Sequence, residues 1–142
     1  MKASARNQFF GTVTGVQAGS VYDEIVIGLQ GGQSIVATIT KDSAEKLGVG
    51  VGSDVIALVK ASHVIVVTDT GSYRLSARNQ LTGIVSEIHE GVVNADIVIE
   101  LPSGDSVAAT ITNASVEALG LQEGQAATAV FKAGSVILGV KI

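Results

Sequence analysis

Ser4, Arg6, Thr40, Ser43 and Lys60 are all hydrogen-bond donors, and each returns as Ser76, Arg78, Thr112, Ser115 and Lys132, displaced by 72 residues. Two hydroxyls three residues apart at the start of a helix signal share one face of its first turn, beside free backbone N–H groups. The helix dipole favours negative charge there. A lysine supplies a compact positive charge with several donors. Ser-Ala-Arg adds a hydroxyl and a guanidinium, or their amides. Such a set suits a tetrahedral oxyanion, whose oxygens all accept and whose charge strengthens each N–H and O–H bond. An all-donor site also favours a fully ionised dianion over phosphate, which is partly protonated near neutral pH and needs an acceptor.

Most acids do not follow the donors. Asp23 faces Ala95, Asp42 faces Ala114 and Asp54 faces Ala126, while Glu45/Glu117 is kept in kind and place. Taken singly, every donor has an ordinary structural reading. Thr or Ser before a helix caps it, a lysine closing a strand is usually solvated, and Ser-Ala-Arg-Asn fits a strand-entry turn. Joint retention in two otherwise diverged copies separates them from that background. The repeat runs without a gap from Ser4/Ser76 to Val64/Val136, with about four positions in ten identical. It includes Asn7/Asn79 as well.

The repeat gives two domains, residues 1–69 and 76–142, joined by a connector at 70–75. Domains of that size bury a limited core, so stacking on each other or on other subunits is expected, and with it an oligomer. Net charge is −4, which argues against a general nucleic-acid or anionic-membrane surface. It leaves room for one small anion, because distant charges are screened and local donors dominate. Cysteine is absent, which excludes disulfides, thiolate metal sites and thiol nucleophiles. No run is long and apolar enough for a membrane span, and the start of the chain lacks the apolar stretch of a secretory signal. The expected location is the cytoplasm.

The expected fold is all-β: two tandem OB-fold-like five-stranded barrels, each with one short helix. Strands are expected at Phe10–Val16, Glu24–Leu29, Ser34–Thr40, Val55–Lys60 and Val64–Thr68. Their counterparts are Leu81–Ile88, Ala95–Leu101, Ser106–Thr112, Ala126–Lys132 and Val136–Val140. A hairpin turn is expected at Gln30–Gln33. Thr40 and Thr112 suit helix N-caps, and Gly48 and Gly120 suit the positions just past the C-terminus. Terminal strands could be exchanged between barrels or between subunits.

Several motifs together carry a family resemblance. They are Ser-Ala-Arg-Asn-Gln at 4–8 and 76–80, Gly11/Gly83, Ala-Thr-Ile-Thr at 37–40 and 109–112, Leu-Gly at 47–48 and 119–120, and Lys-Ala at 60–61 and 132–133. In order, and twice, they resemble the molbindins, built of Mop domains, in the two-Mop-domain (ModG-type) form. The resemblance implies binding of molybdate, and of tungstate similarly, by a homotrimer with sites between barrels. It implies Ser4, Arg6, Thr40, Ser43 and Lys60 as one ligand set, and Ser76, Arg78, Thr112, Ser115 and Lys132 as the other. One barrel would give the Ser-Ala-Arg segment; a neighbour would give the Thr/Ser helix start and the lysine. A further axial site is implied at Gly-x-Val-Asn-Ala, kept at Gly91–Ala95 with Val93 and Asn94. In the first half Asp23 makes such a site unfavourable.

Other classes fit less well. His63 and His89 are not equivalent and lack a companion carboxylate pattern, so no metal-cation site is expected. No Walker A pattern occurs, and no helix-turn-helix segment precedes the barrels. An OB-fold module for single-stranded nucleic acid is the alternative reading, but it needs a basic groove and stacking aromatics; aromatics are 4% of the residues. No base–nucleophile pair recurs, so no enzyme is expected. The reading is a molybdate-binding protein for intracellular molybdenum storage and homeostasis.

Overall fold

A computed structural model describes residues 1–142. Ten strands and two helices follow one another in two matching runs. The first run is β1 (Asn7–Gln17), β2 (Tyr22–Leu29), β3 (Ser34–Thr40), α1 (Lys41–Leu47), β4 (Asp54–Val59) and β5 (Ile65–Val67). The second is β6 (Asn79–Glu90), β7 (Asn94–Glu100), β8 (Ser106–Thr112), α2 (Asn113–Leu119), β9 (Ala126–Phe131) and β10 (Ile137–Val140). Alternating burial along β2 and β7 follows directly from alternating apolar positions: Ile25, Ile27, Ile97 and Ile99 are fully buried.

The helices stand where the capping residues place them. Thr40 accepts from the Ser43 N–H and Thr112 from the Ser115 N–H, both at 3.1 Å. Gly48 and Gly120 end the helices in the left-handed region, with φ of 65° and 61°, where a Cβ would be strained. Gly11 and Gly83 are retained for a different reason. A Cβ on Gly11 would lie 2.5 Å from the Gly28 carbonyl oxygen. One on Gly83 would collide with the Glu100 backbone.

The sheet orders are β10-β4-β1-β2-β3 and β5-β9-β6-β7-β8. Each half thus completes its sheet with the last strand of the other. β10 pairs with β4 from Ile137↔Leu58 to Val140↔Val55, and β5 pairs with β9 from Ile65↔Val130 to Val67↔Thr128. Of the two exchanges left open above, the one between barrels is realised within a single chain. The crossing starts at 3-10 turns, Ala61–His63 and Ala133–Ser135, which lead each chain segment off β4 or β9. They also end the preceding strands one residue earlier than expected, because Lys60 and Lys132 begin the turns. One apolar core of 27 buried residues runs through both halves, from Phe9 and Ile25 to Phe131 and Leu138. This supplies the burial that a domain of about 70 residues lacks. No helix is long and apolar enough to cross a membrane.

Candidate functional site

Asn7 and Asn79, the final residues of the two Ser-Ala-Arg-Asn runs, are not surface groups. They are 2% and 1% exposed. The Asn79 side chain donates to the Val36 carbonyl and accepts from the Val36 N–H, both at 2.8 Å. Asn7 does the same to Ala108, at 2.8 and 2.7 Å. Each amide therefore acts as a further strand neighbour for the outer strand of the opposite half, β3 or β8. Edge-strand backbone groups buried without partners would cost stability.

Just before each asparagine, the arginine also reaches across. Arg6 Nη1 lies 2.8 Å from Asp96 Oδ1, and Arg78 Nη1 lies 2.6 Å from Glu24 Oε2. The expectation of acid-free surroundings is corrected here. Glu24 and Asp96 occupy equivalent positions, and both are acids although their types differ. Matching by identity passes over them; matching by charge finds them. The guanidiniums are therefore neutralised in this structure, and the part of the Ser-Ala-Arg run left for an anion is its hydroxyl and amides.

Strand register decides which donors meet. Asn7 pairs with Val59 and Asn79 with Phe131. The next residues outward, Arg6 with Lys60 and Arg78 with Lys132, thus leave the same end of the same pair of strands. Meanwhile Asn7 is bonded at Ala108 and Arg6 at Asp96, the cross-strand partner of Thr110. From Asn7 to Arg6 the chain thus runs along β8 toward its α2 end. The 3-10 turn after Lys60 also packs on β8, and the one after Lys132 on β3. Arg6 and Lys60 thus leave β1 and β4 on the side of β8, and Arg78 and Lys132 leave β6 and β9 on the side of β3.

Fewer donors are free at the helix starts than the spacing implied. The Thr40 hydroxyl donates to Ser43 Oγ at 2.8 Å, and Thr112 and Ser115 share a bond of 2.9 Å. One O–H of each pair is used internally and one remains. The Lys41 N–H is bonded to Val21 O at 2.9 Å and the Ser43 N–H to its own cap. With seven residues, each helix also has a small dipole. Lys60 and Lys132 are exposed, and no carboxylate lies within ion-pair distance of either. Each keeps an uncompensated positive charge. Thr40 and Ser43 open onto a groove of about 410 Å³ shared with Val136, Ile137 and Leu138, the strand that follows Lys132. A larger groove, about 1130 Å³, is elsewhere, lined by Phe10, Val55, Ile56 and both chain ends.

At Gly91–Ala95, Val93 and Asn94 are exposed. Nearby, Asn113 donates to the Gly91 carbonyl at 2.9 Å, and its own Oδ1 is buried without a partner. That acceptor offers an anion nothing. In the first half Asp23 is buried and lies 3.6 Å from Lys41 Nζ and 3.2 Å from the Gly19 N–H. The pair Asp23/Lys41 replaces Ala95/Asn113, so the acid is balanced internally.

The Arg6 guanidinium, and after it the Thr110 hydroxyl at 2.9 Å, hold the Asp96 carboxyl below the ordinary aspartate range. A folded-state value below the unfolded one stabilises the fold above about pH 4, and that contribution is lost as pH falls through the folded value. The pair is partly exposed, so the contribution is modest. Asp96→Asn is expected to lower the denaturant midpoint slightly at about pH 5, and the gap to the native chain should close as pH falls through the folded-state value. A gap that persists in acid would show that shape, not charge, is what Asp96 provides.

The TOBE domain model matches residues 3–66 and again residues 75–138. The chain spans about half the length of the curated relatives it matches. Those include the molybdenum transport protein ModE of Azotobacter vinelandii, 52% identical over 99% of this chain and 52% of its own length. The molybdenum-pterin-binding protein MopA of Rhodobacter capsulatus is 44% identical over 99% of this chain and 53% of its own. Among solved structures, the cytoplasmic molybdate-binding protein ModG, in a crystal form with molybdate bound, superposes with a TM-score of 0.96 at 46% identity. That match covers 99% of this chain and 100% of that one. The chain belongs to the TOBE domain family, as a protein of two such domains of the molbindin (Mop) kind.

Proposed function

We propose that this chain binds molybdate, with tungstate as an equivalent ligand, at seams where a Ser-Ala-Arg segment, a Thr/Ser pair and a lysine come together. The observation that carries the reading is, in each half, a lysine with no carboxylate partner and a hydroxyl pair with one free proton, in a chain that matches a molybdate-holding relative from end to end. The ligands are Ser4, Arg6, Thr40, Ser43 and Lys60, with Ser76, Arg78, Thr112, Ser115 and Lys132. Arg6 and Arg78 act mainly through backbone amides, since their side chains are taken. Lysine gives charge; hydroxyls and amides give shape.

The assembly is a homotrimer in which seams between barrels of neighbouring chains complete the sites. Phe10, Ile65 and Ile137, 67%, 60% and 64% exposed, are apolar surface that copies of the chain would cover. Val93 and Asn94 form a further axial site in the second half only. The task is storage and homeostasis of molybdenum in the cytoplasm, without catalysis.

Calorimetric titration with molybdate, tungstate, sulfate and phosphate, alongside a solution mass, tests this. Molybdate and tungstate should bind at micromolar concentration, phosphate should give little heat at the same concentration, and the mass should be that of three chains. Ligand at one hundred times its Kd stabilises the fold by about 2.7 kcal/mol, which thermal melting reads independently. Heat from phosphate alone, or from none of the four, would rule the reading out.

A further inference from the structure

One pair of side chains at the seams has no part in the ligand set. Glu24 and Asp96 stand at equivalent positions of the two halves, and each grips the guanidinium of the opposite half's Ser-Ala-Arg segment. Resting on the oxyanion reading above, we propose that Glu24 and Asp96 are affinity-setting residues: each carboxylate cancels the charge of the arginine beside the seam and so holds dianion binding well below what the donors alone would allow.

The placement is built in rather than incidental. Glu24 lies opposite Thr38 in the β2–β3 register, and Asp96 lies opposite Thr110 in the β7–β8 register. The halves differ in their acid, yet both keep one, while Asp23, Asp42 and Asp54 are lost in the second half. Asp96 Oδ1 receives the Thr110 hydroxyl as well as Arg6, which fixes it to the strand beside the seam. The carboxylate side chains are 27% and 36% exposed, so their charges are only partly screened by water. With each arginine neutralised, its guanidinium adds no net charge to the seam. Charge attracts every anion alike, whereas hydroxyls and amides read the positions of oxygens. Cancelling the arginine therefore makes binding depend more on fit than on charge.

The test separates charge from shape. Glu24→Gln and Asp96→Asn keep the side-chain outline and a hydrogen bond to the arginine but remove the negative charge. Titrated with molybdate, each is expected to bind roughly tenfold more tightly at its seam, the effect of a unit charge on a dianion about 6 Å away through a water-like dielectric. Sulfate, titrated in parallel, should gain by a similar factor. Glu24→Asp keeps the charge and changes the shape, and should leave molybdate affinity within about twofold. Should one neutral variant fail to fold, the other, in the equivalent seam, provides the same test. Unchanged or weaker binding in folded Glu24→Gln or Asp96→Asn, with the unaltered chain binding molybdate, overturns this inference alone. An unaltered chain that binds neither molybdate nor tungstate overturns the oxyanion reading and this inference with it.

Discussion

Replacing Lys60 and Lys132 together by alanine is expected to abolish most of the thermal stabilisation that molybdate confers. Both lysines lack a carboxylate partner, whereas Arg6 and Arg78 are held by Asp96 and Glu24. The ammonium groups are therefore the uncompensated positive charges at the seams. A hydrogen bond to a charged group contributes about 1.5–3 kcal/mol net, so each site should weaken by roughly tenfold to a hundredfold. Without ligand the melting temperature should hardly move, because both side chains are exposed and unpaired. Lys60→Ala alone should halve the number of tight sites and leave the rest unchanged. A ligand-induced shift of the original size in the double variant would remove the lysines from the site.

Asn79→Ala is expected to be the most destabilising single substitution near the seams. It deletes two buried hydrogen bonds and strands both polar groups of the Val36 peptide, which is itself 8% exposed. An unpaired buried polar group costs about 1–3 kcal/mol, so a loss of roughly 2–4 kcal/mol follows when relaxation and water entry are allowed for. At this chain length that lowers the melting temperature by roughly 6–12 °C. Asn7→Ala should cost somewhat less, because Ala108 is only half-buried and water can reach its backbone. Because each asparagine bonds a strand of the opposite half, loss of either should also loosen the seams, and molybdate affinity should fall with stability. Differential scanning calorimetry with and without ligand reads both effects. A melting temperature within 2 °C of the native chain, on the same scale of roughly 2–4 °C per kcal/mol, would mean that the clamp is not a principal tie between the halves.

These two groups were legible to different degrees. Lys60 and Lys132 were singled out by recurrence, and the structure leaves both exposed and unpaired. Asn7 and Asn79 recur in the same way, but their burial was hidden, because the bonded partners are 101 and 43 residues distant. Glu24 and Asp96 were missed for a simpler reason. Only an acid kept in kind was counted, and a carboxylate one methylene longer serves the same arginine contact.

Short-range order in the chain was enough for the elements. Alternating Ile and Val set the strands, Thr40 and Thr112 start the helices, and Gly48 and Gly120 stop them. Those are contests between neighbouring residues, and neighbours settle them. Which surfaces meet is another matter. Ile65–Val67 and Ile137–Val140 are nearly alike, and β4 and β9 offer either one a suitable edge, so no local pattern distinguishes exchange from self-completion. The crossing after Lys60 and Lys132, the asparagine clamps and the arginine–carboxylate pairs are long-range contacts between duplicated halves. Duplication makes each partner surface available twice, and the choice between them rests on the packing of one shared core.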